Sequence, residues 1–147
     1  MRKIFVYLIT VMLVLGLSIS THAALIDLGG GMIYSTDLDL TWLQDANYAQ
    51  TSGNSSDGLM TWDEATTWAE NLTYGGIGGW RLPTFDLAHP LSHEMGYLRD
   101  TECGGDMDNC PFINVIGDSL SDFYWSRTTC TTWDGDPGAY NFDFYCS

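Results

Sequence analysis

One amphipathic helix and the extended segment after it are encoded in residues 58–84, GLMTWDEATTWAENLTYGGIGGWRLPT. Thr61 and Glu64 have the Thr-x-x-Glu spacing of a capping box, in which the hydroxyl and the carboxylate each accept a free amide at the helix start. The spacing therefore predicts a helix that begins at Trp62. Its apolar positions recur at i, i+3, i+4 and i+7, the spacing of one buried face: Ala65, Trp68, Ala69 and Leu72.

Glycines and a proline follow this helix. Gly75 and Gly76 can adopt the left-handed conformation that ends a helix, and a further Gly-Gly pair at 78–79 lengthens the break. The residue before Pro83 is disfavoured in the helical region, so residues 80–83 are expected to be extended.

Four ordered motifs carry a resemblance to a known family: TWLQDANYA at 41–49, MTWDEATTWAENL at 60–72, GGWRLPT at 78–84 and YWSRT at 124–128. Together they resemble the Lcl C-terminal domain family, named for a collagen-like bacterial adhesin. The chain is more distantly similar to the formylglycine-generating enzyme group, whose members share a C-type-lectin-like architecture. The resemblance implies recognition outside the cell, in adhesion or in the cell envelope.

Residues 1–23 have the pattern of a secretory signal peptide: a basic start at Arg2 and Lys3, an apolar run, and a small-residue cleavage site ending at Ala23. An uncleaved membrane anchor is the alternative, but the apolar run is short for a bilayer span. Residues 24–147 are long enough for one domain and not for two. We therefore expect a secreted or periplasmic protein without a membrane span after cleavage.

The charge of the exported part excludes some partners. The whole chain has a formal net charge of −14, and removal of Arg2 and Lys3 leaves three arginines against 19 Asp and Glu, or −16. Such a surface repels nucleic acid and anionic lipid and attracts cations. The adhesin family is associated with sulfated polysaccharides, which this surface should also repel, so neutral or cation-bridged glycans fit better. Solubility outside the cell explains the same acidity without a ligand.

Four cysteines lie in the exported part, where an even number favours disulfides. Three pairings are open, and we prefer Cys103 with Cys110 and Cys130 with Cys146. The first pair closes a Gly-rich loop, and the second ties the last strand to the one before it. A zinc site is the rival interpretation, but neither a CxxC motif nor a Cys/His cluster is present.

Several further elements follow from local patterns. We expect a hairpin from residues 32–34 and 40–43, loops at 49–58 and 101–111, and a helix over 92–98 capped by Ser92 with Met95 and Leu98 buried. Strands are expected over 123–127 and 139–145, joined by a turn at 134–138. Similar domains continue with a further strand, so either Cys146 fixes a shortened end or the domain is truncated.

Acidic side chains cluster in the loop around residues 100–109. Carboxylate and amide oxygens are the ligands that Ca²⁺ takes, although the loop matches no EF-hand spacing and most acidic loops are simply solvated. The predicted calcium ligands, with Asn109 beside them, are Asp100, Glu102, Asp106 and Asp108.

Aromatic residues are abundant, with six Trp and eight Tyr. Aromatic faces beside carboxylates and amides suit the binding of sugar rings. Large aromatics also dominate small cores, and for this reason we expect Trp62, Trp68, Trp80 and Trp125 to be core residues. The predicted glycan site lies in the loop after them, at Trp133, Asp134, Asp136, Tyr140 and Asn141.

No pattern favours an enzyme. His89 and His93 are the histidines of the exported part, and no nucleophile signature accompanies them. Cys130 and Cys146 are spaced more widely than the copper-binding cysteine pair of the formylglycine-generating enzymes. Arg81 is expected to form a structural ion pair.

We therefore expect a single α+β, C-type-lectin-like domain, with two helices against small, mostly antiparallel sheets and a loop-rich region held by disulfides. Its expected function is non-enzymatic recognition of a glycan or a cell-surface protein, with Ca²⁺ as the one candidate cofactor. A structural or assembly module and a divergent formylglycine-generating-type enzyme are the alternatives.

Overall fold

The computed structural model describes residues 25–85, 93–116, 123–131 and 137–142, which form an α+β fold with short helices and two small antiparallel sheets. The predicted signal peptide, Ser92, His89 and Cys146 lie outside these ranges, as does the predicted turn at 134–138 up to residue 136. The α+β prediction is confirmed.

The first sheet has three strands in the order β1-β2-β3. They span β1 Leu25–Gly29, β2 Met32–Ser35 and β3 Leu40–Leu43. The predicted hairpin is confirmed as β2–β3, with the fully buried Ile33 opposite Trp42. Sequence analysis did not predict β1, since its five residues are mostly exposed and their extended form depends on pairing with β2.

The second sheet pairs β4, Tyr124–Thr131, with β5, Pro137–Phe142. Both strands were predicted, but β4 ends four residues later than expected, and β5 begins two residues earlier, within the predicted turn. Its ladder with β5 shifts register between Trp125 and Thr129. There β4 bonds instead to the segment at 83–85. The Arg127 amide donates to the Pro83 carbonyl at 2.8 Å. The Thr128 hydroxyl accepts the Phe85 amide and donates to the Phe85 carbonyl.

Helix α1 spans Tyr48–Thr51, so the first three residues of the predicted loop at 49–58 are helical. Helix α2 spans Trp62–Asn71. The capping box is confirmed: the Thr61 amide donates to Glu64 Oε2 at 2.8 Å, and the Thr61 hydroxyl accepts the Glu64 amide. Ala65 and Ala69 are buried, while Trp68 and Leu72 on the same stripe are half-buried.

The glycine pair does not end α2 as predicted. The helix stops three residues earlier, where Leu72 turns extended. Gly75 and Gly76, both with positive φ, form a two-residue turn closed by reciprocal Tyr74–Ile77 backbone bonds of 2.9 Å. Two successive positive φ angles suit such a tight turn. The predicted left-handed conformation of these glycines is therefore confirmed, but they lie in a turn beyond the helix and do not end it.

The second predicted helix exists but begins later. Helix α3 spans Glu94–Tyr97, and its cap is His93, whose Nδ1 accepts the Gly96 amide at 2.8 Å, rather than Ser92. Met95 and Leu98 are each 2 % exposed, as predicted. The chain continues as a π-helical turn, Leu98–Glu102, and then a 3₁₀ turn, Met107–Asn109, so the predicted loop at 101–111 is partly helical.

The core lies where these turns meet the sheets. Met95, Leu98, Cys103 and Met107 form its buried centre. Side chains from both sheets and from the segment after the 3₁₀ turn pack around them: Leu25, Trp42, Cys110, Phe112, Val115, Tyr124 and Phe142. The Cys103–Cys110 disulfide, with Cα atoms 5.4 Å apart, closes this centre and confirms the first predicted pair.

Cys130 lies half-exposed on β4 without a disulfide partner among the described residues, and its predicted partner Cys146 is outside them. No helix in the described ranges has the length and apolar character needed to cross a membrane.

Candidate functional site

A cleft of about 470 Å³ opens between α2, the segment at 80–83 and β4. Residues from all four sequence motifs line it, because the backbone bonds described above bring these distant segments together. The indole N–H of Trp62 donates to the Ser126 carbonyl at 2.8 Å, and that of Trp125 donates to the Met60 carbonyl at 2.9 Å. This reciprocal pair holds the start of α2 against β4.

Four tryptophans contribute to the walls of the cleft: Trp42, Trp68, Trp80 and Trp125. The prediction that Trp62, Trp68, Trp80 and Trp125 form the core is only partly right, since all four are half-buried. A cleft explains this intermediate exposure, because one side of a wall residue packs on the protein and another faces open space.

A chain of ring contacts connects two of these walls. Tyr48 lies 6.2 Å from Trp68 between ring centroids, Tyr74 meets Tyr48 edge-on at 4.9 Å, and Trp80 meets Tyr74 edge-on at 6.1 Å. Edge-to-face pairs of this kind add to area burial. The aromatic wall is therefore supported by neighbouring rings rather than by single side chains.

The indole N–H groups differ in their partners. Trp80 donates to the Ile77 carbonyl at 2.9 Å. The Trp42 nitrogen is shielded from solvent and has no hydrogen-bond partner within the described part of the chain. A buried donor without a partner costs about 1–3 kcal/mol, so Trp42 stands out among the lining residues.

Charged groups at the cleft are already neutralised or bonded. Arg81 makes a bidentate pair with Glu94, at 2.8 Å and 2.7 Å, and Glu94 also accepts the Thr84 amide. Burial acts to raise the pKa of Glu94, but the hydrogen bonds from Arg81 and Thr84 outweigh it, and the pKa lies below its ordinary value. The predicted structural ion pair of Arg81 is thus present.

Asp45 is the acidic residue in the described lining of the cleft. It accepts hydrogen bonds from the Asn47 backbone amide, the Thr51 hydroxyl and the Asn114 side-chain amide. These bonds join α1 to the chain around residue 114. Both charged residues of the cleft thus hold the protein together, and the open face is aromatic and aliphatic.

Two exposed apolar side chains are among the lining residues of the cleft. Leu59 is 58 % exposed and Phe123 is 43 % exposed. The sequence pattern does not identify either one as a surface contact, since it does not show which apolar residues stay exposed. Their contribution depends on the packing of the start of α2 next to β4.

The predicted glycan site is divided by the structure. Trp133, Asp134 and Asp136 lie outside the described residues. Tyr140 and Asn141 are neighbours on β5: Asn141 lines the cleft, while Tyr140 stacks on Phe85 at 4.7 Å with the rings nearly parallel. Side chains alternate between the two faces of a strand, so these two cannot contribute to one surface.

The predicted calcium ligands do not converge. Asp100 accepts from Arg99, Glu102 accepts from Ser35, and Asp106 caps the 3₁₀ turn through the Asp108 amide and Asn109. Within the described ranges no three His, Cys, Asp or Glu side chains form a group that could hold a metal ion. The described residues therefore offer no cluster of ligand atoms for Ca²⁺, and calcium binding stays a prediction.

His93 is used structurally. Its ring is stacked on Phe85 at 4.6 Å and meets Phe142 edge-on at 4.8 Å. Burial lowers the pKa of His93, which keeps Nδ1 free to accept the Gly96 amide. A histidine that caps a helix with its unprotonated nitrogen is not positioned as a general base for a ligand in the cleft.

Comparisons with known proteins identify no relative: no family model matches the chain, and no curated protein or solved structure is significantly similar to it. The resemblance to the Lcl C-terminal domain family therefore stays a prediction from the four motifs.

Proposed function

We propose that this protein is an exported recognition domain that binds a neutral glycan in the aromatic cleft, in adhesion or in the cell envelope. The observation that carries the proposal is the cleft of about 470 Å³ with four tryptophans in its walls, whose two described charged lining residues, Asp45 and Arg81, are both engaged by protein groups. Sugar rings have apolar C–H faces that pack on indole rings, and ligand sites of this size are mostly apolar with a few polar groups.

Charge supports a neutral ligand. The chain carries 19 Asp and Glu against five Lys and Arg. The one arginine at the cleft is held by Glu94 in a bidentate pair. A sulfated or phosphorylated ligand would meet an acidic protein, and the described lining of the cleft offers it no free cation.

The disulfide supports export. Cys103–Cys110 lies at the centre of the core, and disulfides persist in oxidising compartments such as the periplasm and the extracellular space. A ligand outside the cell fits that location.

A glycan array of neutral and sulfated oligosaccharides, probed with the mature protein with and without EDTA, tests the proposal. We expect retention on neutral glycans only. Equal binding in EDTA would remove Ca²⁺ from the mechanism. An absence of binding to every glycan under both conditions would contradict the proposal and favour a structural or assembly module.

Two variants connect binding to the cleft. Leu59→Ser and Phe123→Ser each remove an exposed apolar contact, so the fold should tolerate them while glycan affinity falls about three- to tenfold. Leu28→Ser is the matched control, because Leu28 is 54 % exposed on β1 and does not line the cleft. Isothermal titration with an array-selected glycan measures all three. Equal losses in the control and the cleft variants would place the site elsewhere.

A further inference from the structure

A second cavity of about 240 Å³ adjoins the aromatic cleft. The same five residues line both spaces: Thr41, Trp42, Trp80, Arg81 and Pro83. The two cavities are thus adjacent. Residues of β3 and of the segment at 80–83 form the wall that they share. A ligand longer than one ring could extend along this wall from one cavity into the other.

The second cavity is more polar in character. Asp39, the last residue of the β2–β3 turn, contributes an exposed carboxylate. Its Oδ1 accepts the Tyr34 hydroxyl at 2.7 Å. An ionised carboxylate has about four acceptor positions on two oxygens, so Asp39 can accept further bonds from ligand hydroxyls. The acidic residue in the described lining of the aromatic cleft, Asp45, already accepts three hydrogen bonds.

The shared wall also contains a tryptophan whose buried N–H has no partner among the described residues. Trp42 lines both cavities, and its indole nitrogen is buried without a hydrogen bond in the described chain. Solvent does not reach this nitrogen, so Trp42 contributes its ring to the shared wall and not its N–H.

Gly78 is also a lining residue of the second cavity, and its backbone does not require glycine. Its φ is not in the left-handed region, and a Cβ at this position would meet no other atom within 4 Å. Gly79 beside it has φ +81 and is a glycine for conformational reasons. A side chain at position 78 would therefore meet open space beside the second cavity, without a clash with the protein.

We infer that the second cavity is a second sugar subsite, so that the ligand is a neutral oligosaccharide of at least two rings, with one ring in the aromatic cleft and the next beside Asp39. The inference rests on the proposed function and deepens it. It assigns the apolar ring face to the larger cavity and the hydroxyl contacts to the smaller one.

Titration of the mature protein with glucose and N-acetylglucosamine oligomers of one to four units, together with the neutral series that the array selects, tests the inference. We expect affinity for the array-selected series to rise about tenfold or more between one unit and two or three, and then to level off. Equal affinity at every length would overturn the second subsite and leave glycan recognition intact. No binding to any series would overturn the proposed function itself.

Two variants locate the gain in affinity. Gly78→Leu should bind a single sugar as the unmodified protein does and lose the gain with length, because it adds a bulky side chain to the lining of the second cavity. Asp39→Asn, which keeps the size of the side chain, should weaken binding of the longer oligomers alone, by about three- to tenfold. A thermal melt confirms folding of each variant.

Leu59→Ser provides the contrast, since it should weaken binding at every length by the same factor. If Gly78→Leu folds and keeps the gain with length, the second subsite is wrong. If Gly78→Leu does not fold, Asp39→Asn decides: unchanged affinity for the longer oligomers overturns the inference.

Discussion

Glu102 illustrates a residue whose environment opposes its ionised form. Its Oε1 accepts the Ser35 hydroxyl at 2.6 Å, whereas Oε2 is shielded from water and has no partner in the described residues. Burial raises the pKa of Glu102, the bond from Ser35 acts against this, and the nearby Asp37 raises it further, so that the pKa lies above its ordinary value.

We expect Glu102→Gln to melt at a higher temperature than the unmodified protein at pH 7. A carboxyl whose pKa is raised on folding binds more protons in the folded state than in the unfolded state. Its contribution to the free energy of unfolding is therefore complete below the unfolded pKa and is lost as pH rises through the folded pKa. The glutamine has no charge to bury, and its carbonyl can still accept the Ser35 hydroxyl.

Thermal melts at pH 7 and at pH 3.5 measure this effect. The advantage of Glu102→Gln should disappear at pH 3.5, where the carboxyl is protonated in both states. Glu70→Gln, on the exposed side of α2, is the control and should change little at either pH. An equal shift at both pH values would mean that charge burial is not the cause.

At the scale of elements, α2 shows which part of a helix local sequence specifies. Its start is set by contacts three residues apart, the reciprocal bonds of Thr61 and Glu64. Its end is not: the chain turns extended at Leu72 although no glycine or proline stands there. The Tyr74–Ile77 turn follows directly, and there Tyr74 meets Tyr48 edge-on, a tertiary contact that the local pattern does not contain.

We expect Thr61→Ala to lower the free energy of unfolding by about 1 kcal/mol, because it removes the side chain that accepts the Glu64 amide. Thr67→Ala is the matched control on the exposed face of the same helix and should stay within about 0.5 kcal/mol. Urea unfolding followed by circular dichroism measures both. A loss of similar size at both positions would show that general helix propensity, and not the cap, is responsible.

At the scale of the whole molecule, the centre of the core comes from a segment without periodicity. Met107 is 5 % exposed and Cys103 is 7 % exposed, yet both lie in the part that sequence analysis predicted to be a loop. The disulfide and the two short helical turns bring Met107 next to Met95 and Leu98. No repeating pattern encodes such a core, because its contacts are made by turns rather than by one face of a long element.

We expect replacement of both Cys103 and Cys110 by alanine to lower the free energy of unfolding by about 2–3 kcal/mol, the loss predicted for a loop closed by residues seven apart. Cys130→Ala, on the half-exposed position of β4, should change it much less if that thiol is free. Urea titration measures all variants, and intact mass before and after reduction counts the bridges. An unchanged midpoint for the double variant would contradict a structural role for this disulfide.

The sequence by itself determined what depends on near neighbours: the start of α2, the β2–β3 hairpin, and the burial of Met95 and Leu98. It favoured the Cys103–Cys110 pair among three possible pairings. Only the tertiary structure decided the end of α2, the strand β1 and the cleft. Each of these depends on groups far apart in the chain, such as Trp62 with Ser126 or Trp42 beside Trp80. A capping box can be identified from two residues, whereas a cavity is the space that four packed segments leave between them.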